Sequence, residues 1–184
     1  TLNAIFSFVP ARERILITEE TPEIRIPHPH QVRLLASPEL GISMWELVSD
    51  SLRMRPDRVI VGEVRTKEEA QALAQTLLSG QARGSYATFH SQSAREALSR
   101  LSSFGIPGAD LSSLDLIVVQ RRISKYKGRE HRELRRVTEI CEVQKEGPLS
   151  LRTLFSYDHR TDSLAPSAKP AFISRQICQT FGIG

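Results

Sequence analysis

The side chains best suited to chemistry are carboxylates that follow apolar strands. In RPDRVIVGEVR (residues 55–65), the apolar run Arg58 to Val61 reads as a buried strand and ends directly in Gly62-Glu63. In doubly wound α/β folds, ligands sit beyond the carboxyl ends of the strands. A glycine there permits close backbone approach, and Glu63 would then place a carboxylate in the crevice. Such a group can hold Mg²⁺ through water or orient and deprotonate an attacking water. The plainer reading is a strand that ends in a solvated acid.

Two further segments have the same form. Arg14 to Thr18 (RILIT) is a candidate strand followed by Glu19, Glu20 and Glu23, with Pro22 fixing the turn. Clustered carboxylates suit water-mediated metal binding or general-base work. Ser85 to Phe89 is a small-residue strand that delivers Thr88 and then His90. A histidine beside a phosphate site can sense its charge. Taken singly, the acids read as a charged loop and the histidine as a surface or satisfied core residue. In a parallel sheet the three strand ends converge, and the joint functional reading becomes the stronger one.

The elements that must position these groups alternate. Ser43 to Leu52 is predicted helical, with Ser43 as cap and Trp45 and Val48 on one face. Thr66 to Leu78 is a strong helix, with Thr66 and Glu69 as a capping box and Ala70, Leu73 and Leu77 at helical spacing. Ala94 to Phe104 is another helix, stopped by Gly105 and Pro107. The prolines at 22, 27 and 29 make 21–30 extended or irregular. Strand–helix alternation to about residue 120 implies a mostly parallel α/β core. Beyond it, Leu116 to Val119 and Leu134 to Val143 read as a hairpin with turn chemistry around Gly128. Ser150 to Tyr157 starts a second hairpin, and Lys169 to Phe181 is a closing helix with Phe172, Ile173, Ile177 and Phe181 on one face. The expected division is residues 1–120 as core and 121–184 as a small antiparallel extension of the same domain.

Composition sets the outer bounds. With 184 residues, 40% hydrophobic and 25% charged, the chain is globular in composition and not disordered. No stretch approaches the roughly 18 apolar residues of a membrane span. Thr1 to Pro10 lacks the charged start and cleavage-like end of a signal peptide. Cys141 and Cys178 have no metal-ligand spacing, which fits a reduced, cytosolic protein with buried thiols. The net charge of +4 is concentrated between Arg121 and Arg136, where nucleic acid or acidic lipid could bind. Tyr126 is the one aromatic there, so a solvated hairpin end or subunit contact is the better reading. His28 and His30 flank Pro29 without a third ligand at fitting spacing, and read as extended loop.

The order TLNAI, EETPEI, RPDRVIVGEVR, ATFHSQSA resembles the type II/type IV secretion ATPase superfamily, which includes pilus and archaellum motors. The resemblance is strongest over residues 1–125. It implies a RecA-like P-loop NTPase core, here truncated at its N-terminal side, that uses ATP and Mg²⁺. It matches Glu19, Glu20 and Glu23 to the family's acidic box, Gly62 and Glu63 to the end of its Walker B strand, and Thr88 and His90 to its His box. Glu63 would then activate water or complete the Mg²⁺ shell, and Glu23, with Glu19 or Glu20, would polarise the attacking water. His90 would report on the γ-phosphate, and Arg65 could stabilise transition-state charge or a subunit contact. The resemblance further implies a homo-oligomeric, hexameric ring, a membrane platform protein as partner, and a cytoplasmic location at the inner face of the membrane. The feel is archaeal.

The departure is a missing loop. No Gly-x-x-x-x-Gly-Lys-Ser/Thr occurs in the chain. Its backbone amides and Lys would cradle and neutralise the phosphates. TLNAI resembles the helix just after that loop, so the expectation is that Gly-Lys-Thr precedes Thr1 and that this chain alone is inactive. A sheet lacking that loop's strand is expected to associate or to be poorly soluble. A non-catalytic docking module and a DNA-handling motor are the alternatives. The former would lack the loop in the parent gene too. The latter would bind nucleic acid through Lys125, Lys127 and Arg129 in a salt-dependent way.

Overall fold

The computed structural model describes residues 1–127 and 130–181; the turn around Gly128 lies outside them, as do the side chains of Tyr126, Lys127, Glu130, Thr180 and Phe181. The chain divides into two compact units, residues 1–90 with 101–110, and residues 91–100 with 111–184. The residue-120 boundary drawn from the sequence falls inside a continuous strand, Leu116–Lys127.

The first unit is built on four parallel strands, β1 (Ile15–Glu19), β2 (Gln31–Leu35), β3 (Arg58–Val64) and β4 (Gly84–Phe89), in the order β2-β1-β3-β4. The central strands β1 and β3 are apolar and buried on both faces, the pattern of a covered parallel sheet. Strand alternation sends Ile15, Ile17 and Ile60 to one face, where Phe6, Ile24 and Ile26 complete a core. Phe6 meets Tyr86 edge-on there, with ring centroids 4.8 Å apart. The N-terminal helix α1 (Leu2–Ile5) and the turn Phe6–Phe8 bring Phe6 to that face.

Two further helices lie together, α2 (Met44–Arg53) and α3 (Lys67–Ser79), and both pack on β3. In α2 the buried stripe is Met44, Val48, Ser51 and Leu52, one face at helical spacing. Trp45 is not on it and remains 42% exposed, a correction to the sequence expectation: its position lies about 100° of helix away from Met44. Ser43 and Thr66 each close a capping box, with Glu46 and Glu69. Gly80, at φ 62°, ends α3 in the left-handed conformation that glycine adopts without strain.

The second unit is an antiparallel meander, β5 (Leu116–Lys127), β6 (Glu130–Val143), β7 (Leu151–Asp158) and β8 (Ser163–Pro166), in chain order. The β5–β6 ladder continues well past the predicted strand ends, and it sets Arg121 opposite Arg136, Arg122 opposite Arg135 and Lys125 opposite Arg132. Like charges directly opposite are destabilising. Asp162, in the turn before β8, offsets two of them. It accepts Arg136 Nε at 2.9 Å and Nη2 at 3.1 Å, the Tyr157 hydroxyl at 2.6 Å, and lies 2.9 Å from Lys125 Nζ. These donors, Arg136 first, hold the Asp162 carboxyl far below the usual carboxylate range.

Three more helices are described, α4 (Ala94–Ser103) and the short α5 (Gly108–Leu111) between β4 and β5 in the chain, and α6 (Phe172–Phe181) after β8. Glu142 is fully buried, and its carboxylate accepts the N–H groups of Ala171, Phe172 and Ile173 at 2.8 to 3.0 Å, which ties the first turn of α6 to β6. Cys141 is buried beside Ala94 and Val119, and Cys178 is exposed; both are free thiols. Among the described residues no helix is long and apolar enough to cross a membrane.

Candidate active site

The C-terminal ends of β1, β3 and β4 lie side by side because all three strands are parallel neighbours. At the middle end, the β3–β4 ladder slips. Val61 pairs with Ala87 and Val64 with Phe89, so Gly62 and Glu63 together oppose the single residue Thr88. A bulge of this kind bends the strand and re-aims a side chain. Thr88 steadies it, since its hydroxyl donates to the carbonyl of Gly62.

Glu63 is the hub of the cluster. Its side chain is only 17% exposed. Oε1 lies 2.8 Å from Nε2 of His90, yet it makes no aligned hydrogen bond, and Oε2 pairs with Arg65. Beyond the His90 contact Oε1 has no aligned donor, so a lone pair remains to take a proton or bind a metal-held water. Glu63 is the foremost cause of the upward push on the Arg65 guanidinium, and the charges of Glu23 and Glu69 add to it. Arg65 thus sits within the field of the acidic loop after β1. Its own backbone N–H donates to Glu69 Oε2 at 2.6 Å, which anchors the turn into α3.

The acidic loop sorts its three glutamates. Glu20 and Glu23 are exposed. Glu19 is 2% exposed, and its Oε1 accepts the N–H groups of Glu23 at 3.0 Å and Ile24 at 2.8 Å. Its Oε2 faces Arg33 Nη1 at 3.3 Å. Gly62 lies against this side chain, so close that a Cβ there would be 2.5 Å from Glu19 Cγ. The carboxylate of Glu19 is thus engaged within the fold, while Glu63, Arg65 and His90 are brought together. Arg33, a part of this arrangement, was not foreseen: it follows Glu19 by fourteen residues and carries no local motif.

His28 is buried and serves the backbone. Its Nε2 faces the Pro10 carbonyl at 3.1 Å and its Nδ1 accepts the N–H of His30 at 3.2 Å. No group of three or more His, Cys, Asp or Glu side chains suited to a metal occurs among the described residues. Mg²⁺ is commonly bound by one or two carboxylates with water and substrate phosphates, and Glu63 is a carboxylate at this sheet edge that could hold it in that way.

Known proteins place this architecture. Residues 1–160 match the family described as Type II/IV secretion system protein. An uncharacterized protein of Methanocaldococcus jannaschii is 34% identical over 99% of the chain, and the chain covers 68% of that relative. Protein VirB11 of Rhizobium radiobacter is 38% identical over 61% of the chain, which corresponds to 34% of VirB11. Among solved structures, the VirB11 ATPase of the Brucella suis type IV secretion system superposes with a TM-score of 0.61 at 21% identity, covering 77% of this chain and 43% of that one. The pilus retraction motor PilT with bound ADP gives 0.51 at 17% identity over 93% of this chain and 45% of PilT. At such identities the likeness speaks to fold, a RecA-like α/β core with an antiparallel sheet. The chain spans less than half the length of these two structures. By the extent of the family match and the identity to its archaeal relative, the chain belongs to the type II/IV secretion system protein family.

Proposed function

We propose that this chain carries the water-activating edge of an ATP-hydrolysing secretion or pilus-assembly motor. The observation that carries the reading is Glu63, lifted by a bulge at the end of a buried parallel strand, with His90 against one carboxylate oxygen and Arg65 against the other. ATP with Mg²⁺ would supply the transferable phosphoryl group and the charge that activates it. Glu63 would orient and deprotonate the attacking water, the work that carboxylates do at such sheet edges. Glu23, exposed and within the field of Arg65, would help to polarise that water. Arg65 would offset developing negative charge, or reach a neighbouring subunit. His90, 85% exposed at the next strand end, would meet the terminal phosphate and relay its presence to Glu63. Thr88 and Gly62 hold the bulge, and Glu20, exposed beside the buried Glu19, would add negative charge to the loop.

The family relation supports a homo-oligomeric ring of six subunits acting with a membrane platform protein at the cytoplasmic face of the membrane. Its relatives include proteins described as a VirB11 ATPase and as a pilus retraction motor with bound ADP. No phosphate-cradling Gly-Lys-Ser/Thr loop is among the 184 residues, and the backbone amides and lysine of such a loop are the usual main phosphate contacts. The test compares Mg-ATP binding and turnover by this chain with those of the full-length gene product that carries it. Turnover by the latter alone is expected. Failure of both to bind or hydrolyse ATP would leave only the fold in common with the motors.

A further inference from the structure

We infer that the half-buried Arg33 and the buried Glu19 form a clamp that positions Glu23 beside Glu63, and that Glu19 takes no part in proton transfer. The inference rests on the hydrolytic reading above. It starts from an inequality among three neighbouring acids: Glu20 and Glu23 face solvent, whereas Glu19 is 2% exposed at the last residue of β1.

A carboxylate in that position must be compensated. Oε1 takes two backbone N–H donors, those of Glu23 and Ile24, so the loop folds back over the side chain of its own first residue. Oε2 has no hydrogen bond and is balanced by the charge of Arg33 Nη1 at 3.3 Å. The other Arg33 nitrogen, Nη2, donates to the carbonyl of Ile24. Residue 24 is thus held at both its N–H and its C=O, one by Glu19 and the other by Arg33. Glu23 is the residue immediately before it, and its own N–H is in the same grip.

The clamp also connects to the bulge. Glu19 Cγ occupies the space that a side chain at Gly62 would fill, so the last residue of β1 packs directly on the residue before Glu63. One buried carboxylate therefore sets the height of the Glu23 loop against the strand end that carries Glu63. A clamp of this kind acts on geometry, and small misplacements of reacting groups cost large factors in rate. Glu19 donates no proton, because its side chain is almost wholly shielded from water, Oε1 is committed to two backbone N–H groups and Oε2 faces the charge of Arg33.

The experiment uses the full-length gene product with Arg33→Ala, Arg33→Lys and Glu19→Gln. It measures the kcat and KM for Mg-ATP, the pH–rate profile, and amide hydrogen exchange at Glu23 and Ile24. Glutamine keeps the oxygen that accepts both N–H groups, so Glu19→Gln is expected to retain most of kcat with an unchanged pH profile. Arg33→Ala is expected to lower kcat about 10- to 100-fold with KM within about 2-fold, and to raise exchange at both amides about 10-fold or more. Arg33→Lys, which can offer its charge but not the fork, should fall between. Loss of turnover in a folded Glu19→Gln protein with unchanged exchange would make Glu19 a reacting acid and overturn the inference. If the wild-type protein does not hydrolyse ATP, the hydrolytic reading fails by itself. Exchange still judges the clamp in that case, and unchanged protection in Arg33→Ala would overturn it.

Discussion

A Cβ atom on Gly62 would stand 2.5 Å from Glu19 Cγ and 3.0 Å from the carbonyl oxygen of Thr18. Two strands of the parallel sheet therefore touch through a residue that has no side chain, one step before the candidate reactive carboxylate. The glycine is needed by the protein itself, whatever ligand approaches this edge.

That contact makes the first prediction. Gly62→Ala must either push the buried Glu19 off its two N–H donors or shift β1 against β3. Overpacking of this kind costs about 1–3 kcal/mol. Thermal unfolding of the variant should begin several degrees below wild type, at about 2–4 °C per kcal/mol for a chain of this size. An unchanged melting temperature would mean that the sheet accommodates the methyl group and that Glu19 is not tightly placed.

His90 is the most exposed member of the cluster, and its contact with Glu63 at 2.8 Å is its link to the site. His90→Ala should fold normally and bind nucleotide with modest loss, while turnover slows about 10-fold or more, within the range that a positioned histidine contributes. Steady-state kinetics beside equilibrium nucleotide binding separate the two effects. Wild-type kinetics would return His90 to the surface.

The second unit has its own acid-sensitive joint. Burial by itself would raise the Glu142 carboxyl, but the N–H groups of Ile173, Ala171 and Phe172, with the charge of Arg152, prevail and hold it below its ordinary value. A carboxyl depressed in the folded state adds stability above its unfolded pKa of about 4.3, and this is lost as pH falls through the folded value. The anchoring of α6 should therefore be intact at neutral pH and weaken below about pH 4. Hydrogen exchange at Ala171, Phe172 and Ile173 should accelerate over that range, and Glu142→Ala, which removes both acceptor oxygens, should show the acceleration already at pH 7. Exchange that is independent of pH, after correction for the intrinsic rate, would mean that α6 is held by its apolar face alone.

Much of this architecture was legible in the residues. The buried runs at Ile15 and Val59, and the Thr66–Glu69 capping box, have signals local enough to read, and strands and helix formed where expected. Strand β2 was not read, because Gln31–Leu35 is a short edge strand with mixed polarity just after three prolines. Strands β5 and β6 were read too short. Their outer halves stack arginine on arginine, and the carboxylate that relieves this, Asp162, lies in a distant turn. At the site, the convergence of Glu63 and His90 followed from parallel strands alone. The division of labour among Glu19, Glu20 and Glu23 did not, because it depends on Arg33 and on a bulge at Gly62 that only the folded register defines.

The central claim is that Glu63 activates the attacking water, and the most direct test is Glu63→Gln in the full-length gene product. Mg-ATP binding is expected close to wild type with turnover reduced about 100-fold or more, since glutamine fills the same space but cannot take a proton. Turnover at the wild-type rate would contradict it and remove Glu63 from the reaction.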